Sequence, residues 1–138
     1  MTQNYSNHKR FFPPFHFFAI PLTAVCIGLA IYAFVAVPTI ITGLIVVAFM
    51  LLGLVALFAR MFALKAQDRA ARAEEKLRYY ILAGKALPAE LRMGQILALR
   101  FAGDDEYLAL VERAVSEKLS ADEIKKAIKN WRGDYHRI

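Results

Sequence analysis

The chain has 138 residues, 58% of them hydrophobic and 22% charged, with a formal net charge of +6 and a single cysteine. One cysteine excludes an internal disulfide, and three histidines scattered at His8, His16 and His136 offer no spacing for a metal site. Every acidic residue lies beyond Arg60, and of the basic residues only Lys9 and Arg10 precede Phe11, so the positive excess is local. It suits an anionic lipid leaflet, an acidic protein or RNA, and does not choose among them.

From Phe11 to Ala59 there is no Asp, Glu, Lys or Arg, and Val37-Pro38-Thr39 breaks the run near its middle. Such a run predicts two membrane-spanning helices, from about residue 17 to 37 and from about 39 to 59, each long enough for a hydrocarbon layer of about 30 Å. Phe11, Phe12, Phe15, Phe17 and Phe18 form an aromatic approach to the bilayer. The start resembles a secretory signal, but the run is too long and a second span follows at once, so the first span is expected to be retained. Basic residues on both outer flanks, Lys9 and Arg10 before and Arg60, Lys65, Arg69 and Arg72 after, predict a hairpin with both ends in the cytoplasm. Small residues at Ala24 and Gly28, and at Thr39, Gly43, Gly53 and Ala56, are candidates for a helix-packing seam. Cys26 reads as a packing residue. No ionisable group falls at mid-membrane and only Thr23, Thr39 and Thr42 could line a pore, so transport by this chain alone is not expected.

Between Leu54 and Ala83 there is neither Gly nor Pro, which predicts that the second span runs on as a stalk helix until Gly84 stops it. Asp68 with Arg72 and Glu74 with Arg78 are spaced for ion pairs along that stalk. Phe62, Ala66, Ala70, Ala73, Leu77 and Tyr80 recur at three or four residues, an alanine-rich seam for a partner helix, a second copy or the protein's own tail. Beyond Gly84, Pro88 predicts a short helix and Gly94 to Ala102 another. Asp104, followed by Asp105 and Glu106, is read as the cap of a helix reaching about Leu119 and burying Leu108, Val111 and Val115. Ser120 with Glu123 forms a capping box that opens a last helix. That helix is expected to carry Ile124, Ala127, Ile128 and Trp131 on one side and Lys125, Lys129 and Arg132, with Lys126 nearby, on the other.

The predicted fold is therefore all-α. It comprises an N-terminal segment (1–16), a transmembrane hairpin (17–59), a stalk (60–83) and a helical tail (84–138), the tail being too small for a self-sufficient core. No phosphate loop, metal cluster or nucleophile is present. Asp104, Asp105 and Glu106 are explained by a helix start, so no enzyme activity and no cofactor is expected.

Two stretches carry a resemblance: Gln3-Asn4-Tyr5-Ser6-Asn7-His8-Lys9-Arg10, and Gly94-Gln95-Ile96-Leu97-Ala98-Leu99-Arg100-Phe101-Ala102 with the later Ile124-Lys125-Lys126-Ala127-Ile128-Lys129-Asn130-Trp131. Gln67-Asp68-Arg69 and the closing Asp134-Tyr135-His136-Arg137 extend it over nearly the whole chain. The chain resembles a bacterial family of small two-span membrane proteins with a helical cytoplasmic tail, a domain of unknown function, some of whose members carry a transporter-permease name. The resemblance implies this architecture and an inner-membrane address, and it brings no catalytic residue. Members tend to have a polar loop between the spans, where this chain has only Val37-Pro38-Thr39. The functional expectation is a non-enzymatic accessory or scaffold subunit of a larger membrane assembly, with lipid and either a protein partner or further copies as its contacts. The alternative is a membrane-tethered module whose last helix, through Lys125, Lys129, Arg132 and Trp131, holds RNA, ribosomes or anionic lipid. Nucleic acid is the less expected partner, because acids are interleaved with the few basic residues.

Overall fold

The computed structural model describes residues 4–6 and 11–134. His8, Lys9, Arg10 and His136, and with them parts of the first and last stretches of resemblance, lie outside the described residues. The architecture is all-α, with two long apolar helices followed by a small helical C-terminal region. A π-helical turn, Pro14–Ala19, leads into α1 (Ile20–Ala36); α2 spans Ile40–Ala83, α3 Met93–Leu99, α4 Asp104–Ser116 and α5 Ala121–Ala127. The chain divides into two compact units, Phe11–Leu64 on one hand and Lys65–Ile138 with Met1–Arg10 on the other.

In the first unit, Pro21 has no N–H to offer the carbonyl four residues back and its ring crowds that carbonyl. The turn before it widens, and Ile20 N–H donates to Phe15 O, five residues away. The break between α1 and α2 falls at Val37-Pro38-Thr39, as the sequence predicts. Val37, held extended by the following proline, has φ −138° and ψ 86°. Two threonines then cap α2 reciprocally: Thr42 N–H donates to Thr39 Oγ1 at 3.2 Å and Thr39 N–H to Thr42 Oγ1 at 3.0 Å. The Thr42 hydroxyl also donates to Val37 O at 2.8 Å. Polar groups freed at a tight turn are thus satisfied locally, which an apolar surrounding demands. The helices run antiparallel, Gly43 lying against Phe34 and Gly53 against Thr23 and Ile27.

In the second unit, Gly84 ends α2 in the left-handed conformation at φ +68°, its N–H donating to Tyr80 O at 2.9 Å. No helix forms at Pro88; residues 86–92 are irregular with a turn at 89–90, and Leu91 is buried in the core while Leu87 packs against it. The core gathers Tyr79 from α2, Ile96 and Leu99 from α3, Tyr107, Leu110, Val111 and Ala114 from α4, and Ile124 from α5. Leu108 and Val115, expected inside α4's buried face, are only partly buried. The buried face is that of Tyr107, Leu110, Val111 and Ala114, and the helix, with Gly103 as its cap, ends at Ser116 rather than near Leu119. The Ser120 box is present, with Glu123 N–H donating to Ser120 Oγ at 3.2 Å and Ser120 N–H to Glu123 Oε2 at 2.7 Å.

The last helix is shorter than its periodicity suggests. It stops at Ala127, and Ile128 is extended at ψ 125°. The reason lies on α4: the Glu106 carboxylate accepts the N–H of Lys129 at 3.1 Å and that of Asn130 at 2.9 Å, donors that a continued helix would have turned toward Lys125 and Lys126. The chain then runs alongside Phe101–Gly103, with Gly103 N–H donating to Asn130 O at 2.9 Å and Arg132 N–H to Phe101 O at 2.7 Å. Gly103 permits this approach, since a Cβ there would lie 3.2 Å from Asn130 O.

Candidate functional site

The residues expected to form one basic helical face are dispersed. Lys125 remains on α5 and is half-buried, whereas Lys129, Trp131 and Arg132 lie in the extended segment after it. Trp131 is half-buried, its ring 5.2 Å from that of Phe101. Lys129 and Arg132 border a shallow hollow together with Asp104 and Asn130. Arg132 also reaches a second hollow of about 300 Å³, which holds Glu74, Glu75, Arg100 and Asp134, with Arg100 and Asp134 paired at 3.2 Å. Lys126 is paired with Asp122 at 2.7 Å, and that hydrogen bond, ahead of one from Tyr5, holds the Asp122 carboxyl below its usual range. Of these cations, Lys126 and Arg100 are answered by neighbouring acids. Among the described residues no cluster of His, Cys, Asp or Glu could hold a metal ion.

The three acids at the start of α4 do more than open a helix. Asp104 accepts from Arg78 Nε at 2.7 Å, Asp105 from the Asn130 side-chain amide, and Glu106 holds the last segment. Arg78 is the hub: it donates to Ala102 O at 2.7 Å and to Glu75 Oε2 at 3.3 Å, and its guanidinium lies 4.1 Å from the Tyr107 ring centroid. It therefore pairs with Glu75 rather than with Glu74, the partner its spacing suggested; among the described residues Asp68 and Arg72 form no ion pair. Burial, and then the neighbouring Glu75 carboxylate, push the Tyr107 phenol far above its usual range, so it stays neutral as it donates to Glu75 O at 3.4 Å.

The seam residues divide as well. Gly43 and Gly53 sit at the contact of α1 and α2, while Gly28 has nothing within 4 Å of where a Cβ would be. Ala24 lines, with Gly53 and Ala56, an apolar groove of about 360 Å³. On the stalk the tail does pack back, but onto a different face: Ala71, Glu75 and Tyr79 are buried, whereas Ala66, Ala70 and Ala73 stay exposed. Burial of Glu75 beside Arg78 is the feature that period counting missed. A carboxylate in a helix reads as a solvent face unless its cation, the tyrosine beneath it and the acid 26 residues beyond that cation are brought together.

The model of a family of unknown function, DUF6526, matches residues 1–138. The chain belongs to DUF6526. No curated protein and no solved structure matches it. In this DUF6526 chain the stretches that carried the resemblance fall on packing contacts of the tail. Gln95 accepts from Arg92 N–H at 2.7 Å and donates to Leu119 O at 2.7 Å, fastening the start of α3 to the approach of α5. Phe101 meets Trp131, and Ile124 is fully buried. These residues take part in the packing of the tail. A further DUF6526 segment, at 4–6, joins the same unit: Tyr5 donates its hydroxyl hydrogen to Asp122 Oδ1 at 2.7 Å, and Lys126 Nζ lies 5.7 Å from the Tyr5 ring centroid.

Proposed function

We propose that the protein is a non-enzymatic, integral protein of the bacterial inner membrane that serves as an accessory or scaffold subunit of a larger membrane assembly. Pro14–Ala36 and Ile40–Ala83 are each long and apolar enough to cross a membrane. Their side chains are left open: Val35 is 75% exposed and Ile40 83%. Burying such surface in lipid removes the cost of its exposure to water. The antiparallel pairing of α1 and α2, with Tyr5 joined to Asp122, favours an even number of crossings with both ends in the cytoplasm.

The observation that carries the subunit reading is the uncovered seam of the stalk. After the tail has taken the Ala71, Glu75 and Tyr79 face, Leu77 and Tyr80 remain 60% and 59% exposed beside the alanines. An open helical face of this kind fits a protein neighbour. The alternative, an RNA-, ribosome- or lipid-holding last helix, is placed second because α5 ends before Lys129, Trp131 and Arg132.

Purification of the tagged protein from its native membrane in a gentle detergent, followed by native mass spectrometry, is expected to yield a defined complex containing another protein. Recovery of the bare monomer under conditions that preserve other inner-membrane complexes would overturn the reading.

A further inference from the structure

Resting on the subunit reading, we propose that the distal part of α2 is a docking strip for an amphipathic helix of a different protein. That partner helix has small and apolar residues along its seam and Asp or Glu along one edge. Two neighbouring lines of side chains carry this inference. Ala66, Ala70, Ala73, Leu77 and Tyr80 follow steps of four and three, the spacing that keeps one face toward a partner helix over several turns. Alanine at successive positions lets two helix axes approach closely, and Leu77, Tyr80 and Ile81, the last 71% exposed, supply bulk at the far end.

The second line is Lys65, Arg69, Arg72 and Lys76, again stepped by four and three. At about 100° per residue the four fall within about 60° of one another, directly beside the alanine line. All four are exposed, and among the described residues none has an ion pair or a side-chain hydrogen bond. The sequence gives these cations a simple reading as the basic flank of a span. What the structure adds is that Glu75, on the stalk itself, and Asp104 bind Arg78 while Glu106 holds the last segment, and among the described residues no acid pairs with these four cations.

A second copy of this chain fits the strip poorly. In a parallel pair, edge residues meet those five positions further along the partner. Arg69 would then find Glu74, but Lys76 would find Ile81, and Lys65 and Arg72 would find no acid. An acid-edged helix of another protein answers the edge and fills the seam together.

The test places the photo-crosslinking residue p-benzoylphenylalanine at Leu77 in the full-length protein in its native membrane, with a second variant carrying it at exposed Glu112 on α4. Ultraviolet light is expected to join position 77, and not position 112, to one other protein. Mass spectrometry should locate the join on a helix with small residues every three or four positions and acids along one edge. Arg69→Glu with Lys76→Glu, added to the Leu77 probe, should lower the cross-link about tenfold by turning attraction into repulsion, with Trp131 emission unchanged as proof that the tail stays folded. Cross-links to a second copy, to lipid or to RNA, to a segment without acids, or to nothing would overturn the proposal. Should the native complex be present while position 77 captures no acidic helix, the docking strip fails and the subunit reading stands; should no complex exist, the subunit reading itself fails.

Discussion

Replacing Arg78 with alanine is expected to destabilise the tail by about 3–5 kcal/mol, the cost of leaving a buried partner charge uncompensated. The magnitude follows from where the partners sit. The Glu75 side chain is only 7% exposed and that of Arg78 10%, so water cannot replace the lost guanidinium. The same side chain also serves Ala102 O, Asp104 and the face of Tyr107, so several contacts fail together. Urea titration of the full-length protein in detergent, followed by Trp131 fluorescence, gives the number, and Trp131 is the chain's single tryptophan. The double change Arg78→Met with Glu75→Gln should recover most of the loss, because the buried charge disappears with its partner. A double variant no more stable than Arg78→Ala would show that the cost arises from packing and not from charge.

The second large effect is expected at Glu106. Its carboxylate accepts the backbone N–H groups of Lys129 and Asn130, charge-assisted bonds that hold the extended end of the chain against Phe101–Gly103. Because Glu106 is half-exposed, Glu106→Ala should cost about 2–3 kcal/mol rather than the full sum of those bonds. The more specific sign is local: Trp131 should leave Phe101, its emission should move to longer wavelength, and acrylamide should quench it more strongly. Glu106→Gln, which keeps one acceptor oxygen, should restore part of the shift. Unchanged Trp131 emission in Glu106→Ala would mean that the Phe101 contact and the backbone bonds of Gly103 and Arg132 hold the segment without Glu106.

Both sites show why some features were legible in the sequence and others were not. The turn at Val37-Pro38-Thr39, the stop at Gly84 and the box of Ser120 with Glu123 are determined by residues within a few positions of one another, and all three stand in the structure. The long reach of α2 was legible for the same reason, since nothing between Leu54 and Ala83 breaks a helix. The end of α5 was not, because its periodicity continues through Trp131 while the acceptor that draws off its donors lies 23 residues earlier. Pro88 is suited to a helix start, yet burial of Leu91 holds its segment as a turn. On the stalk the sequence left the alanine line open to a partner helix, a second copy or the tail, and the tail packs on another side. The tail chose the side carrying Glu75 and Tyr79 because Arg78 could satisfy the acid there, and that left the alanine line open.

Burial of the apolar pair of helices in lipid, with both ends of the chain on one side, underlies the proposed function. It is tested most directly by cysteine labelling in whole cells. With Cys26 changed to serine, single cysteines at Ser6, Val37 and Ser116 are exposed to a membrane-impermeant maleimide before and after permeabilisation. Position 37 is expected to react in intact cells, and positions 6 and 116 only once the membrane is opened. Labelling of 6 and 116 on opposite sides, or equal labelling of all three in a soluble fraction, would contradict it.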